Sequence, residues 1–182
     1  LDQFPAAKYR DRLIHTSVVR PDLIRRLRHP SRIADIQPRF VASDFPWIID
    51  KLGERRANST YLWKTMLEAG VICAGGSDAP VEPIAPLLGI HAAVTRRKPE
   101  EKHEGYNENE KLSVEQAVKL FTIGGALATD EEDKKGTLRP GKWADMTVFS
   151  KAIFHVEPDE LLSTEIEMTV VGGNIVYRGK TV

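Results

Sequence analysis

The stretch Val71-Ile72-Cys73-Ala74-Gly75-Gly76-Ser77-Asp78-Ala79-Pro80-Val81-Glu82-Pro83 decides how the rest of the chain is read. It opens as a short uncharged run with β-branched residues, the composition of a strand buried on both faces. Gly75 and Gly76 then permit a close backbone turn, and the prolines prevent continuation, so Asp78 is expected just past a strand end. In parallel α/β architectures the catalytic groups stand at the carboxyl ends of strands, where an aspartate serves as metal ligand or proton acceptor. Ser77 and Asp78 also suit a plain turn cap, since both side chains bond local backbone. This stretch alone leaves the two readings even.

Upstream, Arg12-Leu13-Ile14-His15-Thr16-Ser17-Val18-Val19 reads as a strand with His15 inside or near its end. A helix follows from Pro21, with Leu23, Ile24 and Leu27 on one face until Pro30. Ile33 to Pro38 reads as a second strand, and Phe40 to Gly53, interrupted by Pro46 and Trp47, as a long connection with one helical turn. Leu62, Trp63, Met66 and Leu67 then fall at helical spacing before Gly70, directly ahead of the strand leading to Asp78. Strands interleaved with helices imply β-α units and a parallel sheet.

Downstream, Ile84 to Arg97 predicts a helix beginning near Pro86 and carrying His91, and the polar run Lys98 to Lys111 an exposed loop with His103 in solvent. Ser113-Val114-Glu115-Gln116 has the capping-box pattern, and the helix it starts is weakened at Gly124-Gly125. From Thr129 the composition changes: Gly141 to Phe149 suits a turn and a strand, and Glu165 to Arg178 a hairpin turning at Gly172-Gly173. The expected organisation is a β-α part over 1–128 and a small β part over 129–182.

The 182 residues carry 26 Lys+Arg and 26 Asp+Glu, so no overall field draws the chain to nucleic acid or an anionic membrane. The single cysteine, Cys73, excludes an internal disulfide framework and, within its apolar run, reads as packing. With no 18-residue apolar stretch and no leader-like start, the expectation is a soluble cytoplasmic protein.

Several motifs together resemble the C-terminal portion of a metal-dependent amidohydrolase. They are Arg12-Leu13-Ile14-His15, Gln37-Pro38 with Ser43-Asp44-Phe45-Pro46-Trp47, Gly75 to Pro83, Ala93-Val94-Thr95-Arg96, and Gly136-Thr137-Leu138-Arg139-Pro140-Gly141-Lys142-Trp143-Ala144-Asp145. Their order and spacing are most similar to the YtcJ-like branch, which includes N-substituted formamide deformylases. The resemblance implies the last strands and helices of a (β/α)₈ TIM barrel followed by a small β-sandwich segment. It implies that His15 ends the sixth barrel strand and binds metal. It also implies that Asp78 ends the eighth, contacts metal and takes a proton from the attacking water. The implied cofactor is a divalent metal, zinc by ligand type, and the implied substrate a small amide-type molecule.

The chain also departs from that pattern. No His-x-His pair occurs in it, and Ile14 stands where many relatives have Glu before the histidine. A closed barrel needs about 200 residues or more. The expectation is therefore a C-terminal fragment, inactive alone, whose open sheet self-associates or contacts the rest of the barrel. The alternative is a non-catalytic binding or assembly module derived from the barrel's last third. Asp44 and Trp47 are candidate substrate contacts, with a surface acid and a part-buried aromatic as their plainer readings, and Arg96 is read as an ion-pair partner.

Overall fold

The structure, a computed structural model, describes residues 8–179. Strands β1 (Asp11–Ile14), β2 (Arg32–Ile36) and β3 (Cys73–Gly75) form one parallel sheet in that order. Ile14 pairs in register with Asp35, and Asp35 with Ala74. These side chains therefore share one face with Arg12, while Leu13, Ala34, Ile36 and Cys73 take the other. The second face is the core side, where Ala34, Ile36 and Cys73 join Val41, Phe45, Met66 and Leu120 in a buried cluster.

The helices covering that face are α1 (Pro21–Leu27), α2 (Phe40–Leu52), the single turn α3 (Glu54–Ala57), α4 (Trp63–Glu68), α5 (Pro86–Thr95) and α6 (Val114–Phe121). The capping box at Ser113 and Gln116 forms with both of its hydrogen bonds, as the sequence predicts.

Where a long connection with one helical turn is expected, α2 runs for 13 residues with Pro46 inside it. An interior proline costs about 3 kcal/mol. The helix buries Val41, Phe45 and Ile48 on one stripe, each contributing about 2 kcal/mol, and that total exceeds the penalty. The first strand is shorter than the apolar run around it, because His15 and Thr16 take positive φ of 69° and 46° and turn the chain out of extended geometry.

Beyond α6, Gly124 and Gly125 sit inside a separate helix, α7 (Ile123–Ala128). A Cβ on Gly124 would stand 2.5 Å from the Cys73 carbonyl oxygen, so the missing side chain lets α7 lie directly against β3. Arg10, just ahead of β1, holds the segment after α7. Its guanidinium donates to the Leu127 carbonyl at 3.1 Å and pairs with Asp130 at 2.7 Å and Glu132 at 2.5 Å.

The polar stretch after α5 is exposed or half-buried, and His103, exposed as expected, also lies 3.1 Å from the Glu101 carboxylate and edge-on to the Tyr106 ring. Glu110 is an exception: its buried carboxylate accepts from the Thr65 backbone N–H at 3.0 Å and from the Thr65 hydroxyl.

The last part forms an antiparallel sheet of β4 (Met146–Phe149), β5 (Ile166–Val171) and β6 (Asn174–Arg178). Gly172 and Gly173 both have positive φ, the requirement of the tight hairpin turn expected there. Among the described residues this sheet is a single layer, with Met146, Val148 and Ile175 all exposed. Asp159 ties this part to the helices. Its carboxylate takes the Arg97 guanidinium at 2.8 and 2.9 Å and lies 3.6 Å from Nε2 of the buried His91. Among the described residues no helix is long and apolar enough to cross a membrane.

Candidate functional site

The carboxyl edge of the parallel sheet gathers the polar residues the sequence singles out. His15 directly follows β1, Gln37 directly follows β2, and Asp78 lies three residues past β3. Because all three strands run the same way, these positions share one edge. Two of them are conformationally unusual: His15 and Asp78 have φ of 69° and 56°, in the left-handed region that non-glycine residues seldom occupy. Such geometry persists only where surrounding contacts impose it, and it concentrates at functional sites. Here a hydrogen bond from the Gly76 N–H to the Ile36 carbonyl at 2.9 Å fixes the exit of β3, and one from the Val81 N–H to the Asp78 carbonyl closes the turn.

The His15 side chain is exposed, yet its ring is oriented from two sides. It stacks on Phe40 with ring centres 5.8 Å apart, and Nδ1 lies 2.8 Å from the Gln37 Oε1. Asp78 is exposed as well, and it borders a cleft of about 350 Å³ between the Arg12–Asp35 face of the sheet and α7, lined also by Gln37, Gly76, Gly125 and Ala128. His15 does not line this cleft; it meets it through Gln37. Within the cleft Arg12 Nε donates to the buried Asp35 carboxylate at 2.6 Å. Above it, Arg39 and Glu82 join the loop after β2 to the loop after β3.

A divalent ion fits this donor set in part. With Nδ1 donating to Gln37, the His15 Nε2 carries a lone pair, and imidazole nitrogen with carboxylate oxygen is an ordinary zinc pair. A catalytic zinc site takes about three protein ligands, and among the described residues no group of three or more His, Cys, Asp or Glu is placed to hold a metal. His15 and Asp78 stand on strands two spacings apart, roughly 10 Å at the backbone.

The other candidates have structural partners. Asp44 accepts the Tyr61 hydroxyl at 2.8 Å, and Trp47 is half exposed. Among the described residues Arg96 pairs with no carboxylate directly, contrary to the ion pair expected. It is fully buried, donates to the Tyr106 and Tyr61 carbonyls, and lies over the Trp63 ring, with burial lowering its pKa to about 10. Sequence reading assigned no role to Gln37, Arg12 or Glu82. A usable signal was present for Gln37, since a residue one past a parallel strand stands beside the residue one past its neighbour.

A parallel sheet with helices on its core face and polar groups at its carboxyl ends is the arrangement of consecutive β/α units. The chain belongs to the amidohydrolase family, whose sequence profile matches residues 2–177. It is 47% identical to the amidohydrolase-family protein YtcJ of Bacillus subtilis (strain 168), over 92% of this chain and 32% of YtcJ. It is 27% identical to the N-substituted formamide deformylase of Arthrobacter pascens, over 63% of this chain and 21% of that protein. Among solved structures, an uncharacterized metal-dependent hydrolase from Pyrococcus furiosus superposes with a TM-score of 0.61 at 34% identity, covering 72% of this chain and 26% of the other. The chain thus spans about a third or less of the length of the curated relatives it matches.

Proposed function

We propose that this chain supplies the carboxyl-terminal part of a metal-dependent hydrolase that cleaves an amide or related C–N bond in a small molecule. Residues 1–128 are its last barrel units, and 129–182 are one layer of a β-sandwich whose partner layer covers Met146, Val148 and Ile175. The observation that supports this reading is that His15 and Asp78 both follow strands at the carboxyl edge of one parallel sheet, each in left-handed geometry. His15 Nε2 and an Asp78 oxygen would be two of the ligands, and a divalent ion held there, proposed to be zinc, would supply a water acidified toward neutrality. Asp78 is also the proposed acceptor of that water's proton, an effect that contributes typically ~10²–10⁴-fold. The name of the deformylase relative supports a formamide or similar amide as the substrate class.

Two ligands hold an ion loosely, so the 182 residues alone are expected to turn over N-formyl and N-acyl amides negligibly with added zinc. Expressed with the upstream residues of its gene, the protein is expected to turn over, and Asp78→Asn to lower the rate by at least about 10²-fold. Strong turnover by the short chain, abolished by Asp78→Asn, would show instead that these residues form a complete site.

A further inference from the structure

We infer that Gln37 is the positioning residue that makes His15 a ligand through Nε2; this rests on the metal-binding role proposed above. A neutral imidazole has one N–H, and the nitrogen that bears it is set by its hydrogen-bond partner. Here Nδ1 lies 2.8 Å from the Gln37 Oε1, and because an amide oxygen only accepts, this contact assigns the proton to Nδ1 and leaves Nε2 as the free acceptor. Gln37 is suited to this. It is only 7% exposed, it follows β2 directly, and its own carbonyl accepts from the Phe40 N–H at 3.0 Å, starting the helix whose first ring stacks on His15. One short segment therefore sets both the tautomer and the plane of the imidazole.

Metal-binding histidines commonly donate their second N–H to a carboxylate or carbonyl. The position before His15 is Ile14, which has no acceptor side chain, and the structure moves the task to the neighbouring strand. The Gln37 amide is neutral, so it orients the ring without adding a charge beside the ligand.

The test is ¹⁵N NMR of the His15 ring in the metal-free 182-residue chain, at a pH where imidazole is neutral. The expected pattern is Nδ1 protonated in the wild type and in Gln37→Glu, with a shift toward Nε2–H in Gln37→Leu. A wild-type His15 with its proton on Nε2, or a Gln37→Leu spectrum unchanged from wild type, overturns the assignment. Zinc titration followed on the same resonances is expected to perturb Nε2 and to weaken 10–100-fold in Gln37→Leu, with Gln37→Glu rescuing it. A zinc affinity that His15→Ala leaves unchanged would overturn the metal reading, while the tautomer pattern still decides the role of Gln37.

Discussion

Arg39 Nε and the Glu82 carboxylate meet at 2.6 Å with both side chains largely withdrawn from water, and they join the loops leaving β2 and β3. A surface ion pair of this length would contribute under 1 kcal/mol. This one is expected to behave as a buried pair, because removal of Arg39 leaves the largely buried Glu82 carboxylate without its partner. Arg39→Met is expected to destabilise the chain by about 3 kcal/mol in urea denaturation, and Arg39→Met with Glu82→Leu to recover most of that. A cost near zero for the single variant would show the pair to be solvated.

Gly124 and Gly125 are neighbours in α7 with opposite surroundings. A methyl on Gly124 would meet the Cys73 carbonyl and the Ala74 backbone, whereas one on Gly125 meets nothing within 4 Å. Gly124→Ala is expected to lower stability by about 1–3 kcal/mol through overpacking, and Gly125→Ala to raise it by up to about 1 kcal/mol through helix propensity. Paired thermal melts check both signs at once.

Burial lowers the pKa of His91, and the nearby Asp159 only partly offsets this. The unfolded histidine, near 6.5, binds its proton at a higher pH than the folded one, so the unfolded state gains protons first on acidification. Stability is expected to fall as pH drops below about 6.5, and the fall to be smaller in His91→Gln. Asp159, held low by its hydrogen bond to Arg97, adds a loss of the same sign only at more acidic pH, below the ordinary aspartate range. Denaturation midpoints from pH 8 down to about pH 2 would test both, the His91 loss in the upper half and the Asp159 loss below the ordinary aspartate range.

Cys73 faces the helices from β3, and burial pushes its thiol up to about 12. It is expected to be inert to a thiol-reactive dye at pH 8 in the folded chain and to react fully on unfolding. Rapid labelling of the folded protein would show that β3 opens.

The sequence was most informative where a local rule and the tertiary contacts agree. Ser113 with Gln116, Pro86 and the Gly172-Gly173 turn each specify their geometry within four residues, and each forms as expected. Pro46 misled because its penalty is local, while the burial of Val41, Phe45 and Ile48 that outweighs it depends on distant packing. The position of Asp78 just past β3 was legible because glycines and prolines fence it. The task of Gln37 was not, since it exists only once β1 and β2 lie side by side.

The Arg10 anchor makes covalent continuity in the middle of the chain dispensable. Lys102 lies in an exposed stretch, and contacts bridge it on every side: Arg10 to Asp130 and Glu132, Thr65 to Glu110, Arg97 to Asp159, and α7 against β3. A single tryptic cut after Lys102 should therefore yield two pieces that co-elute as one particle under native conditions and part only in denaturant.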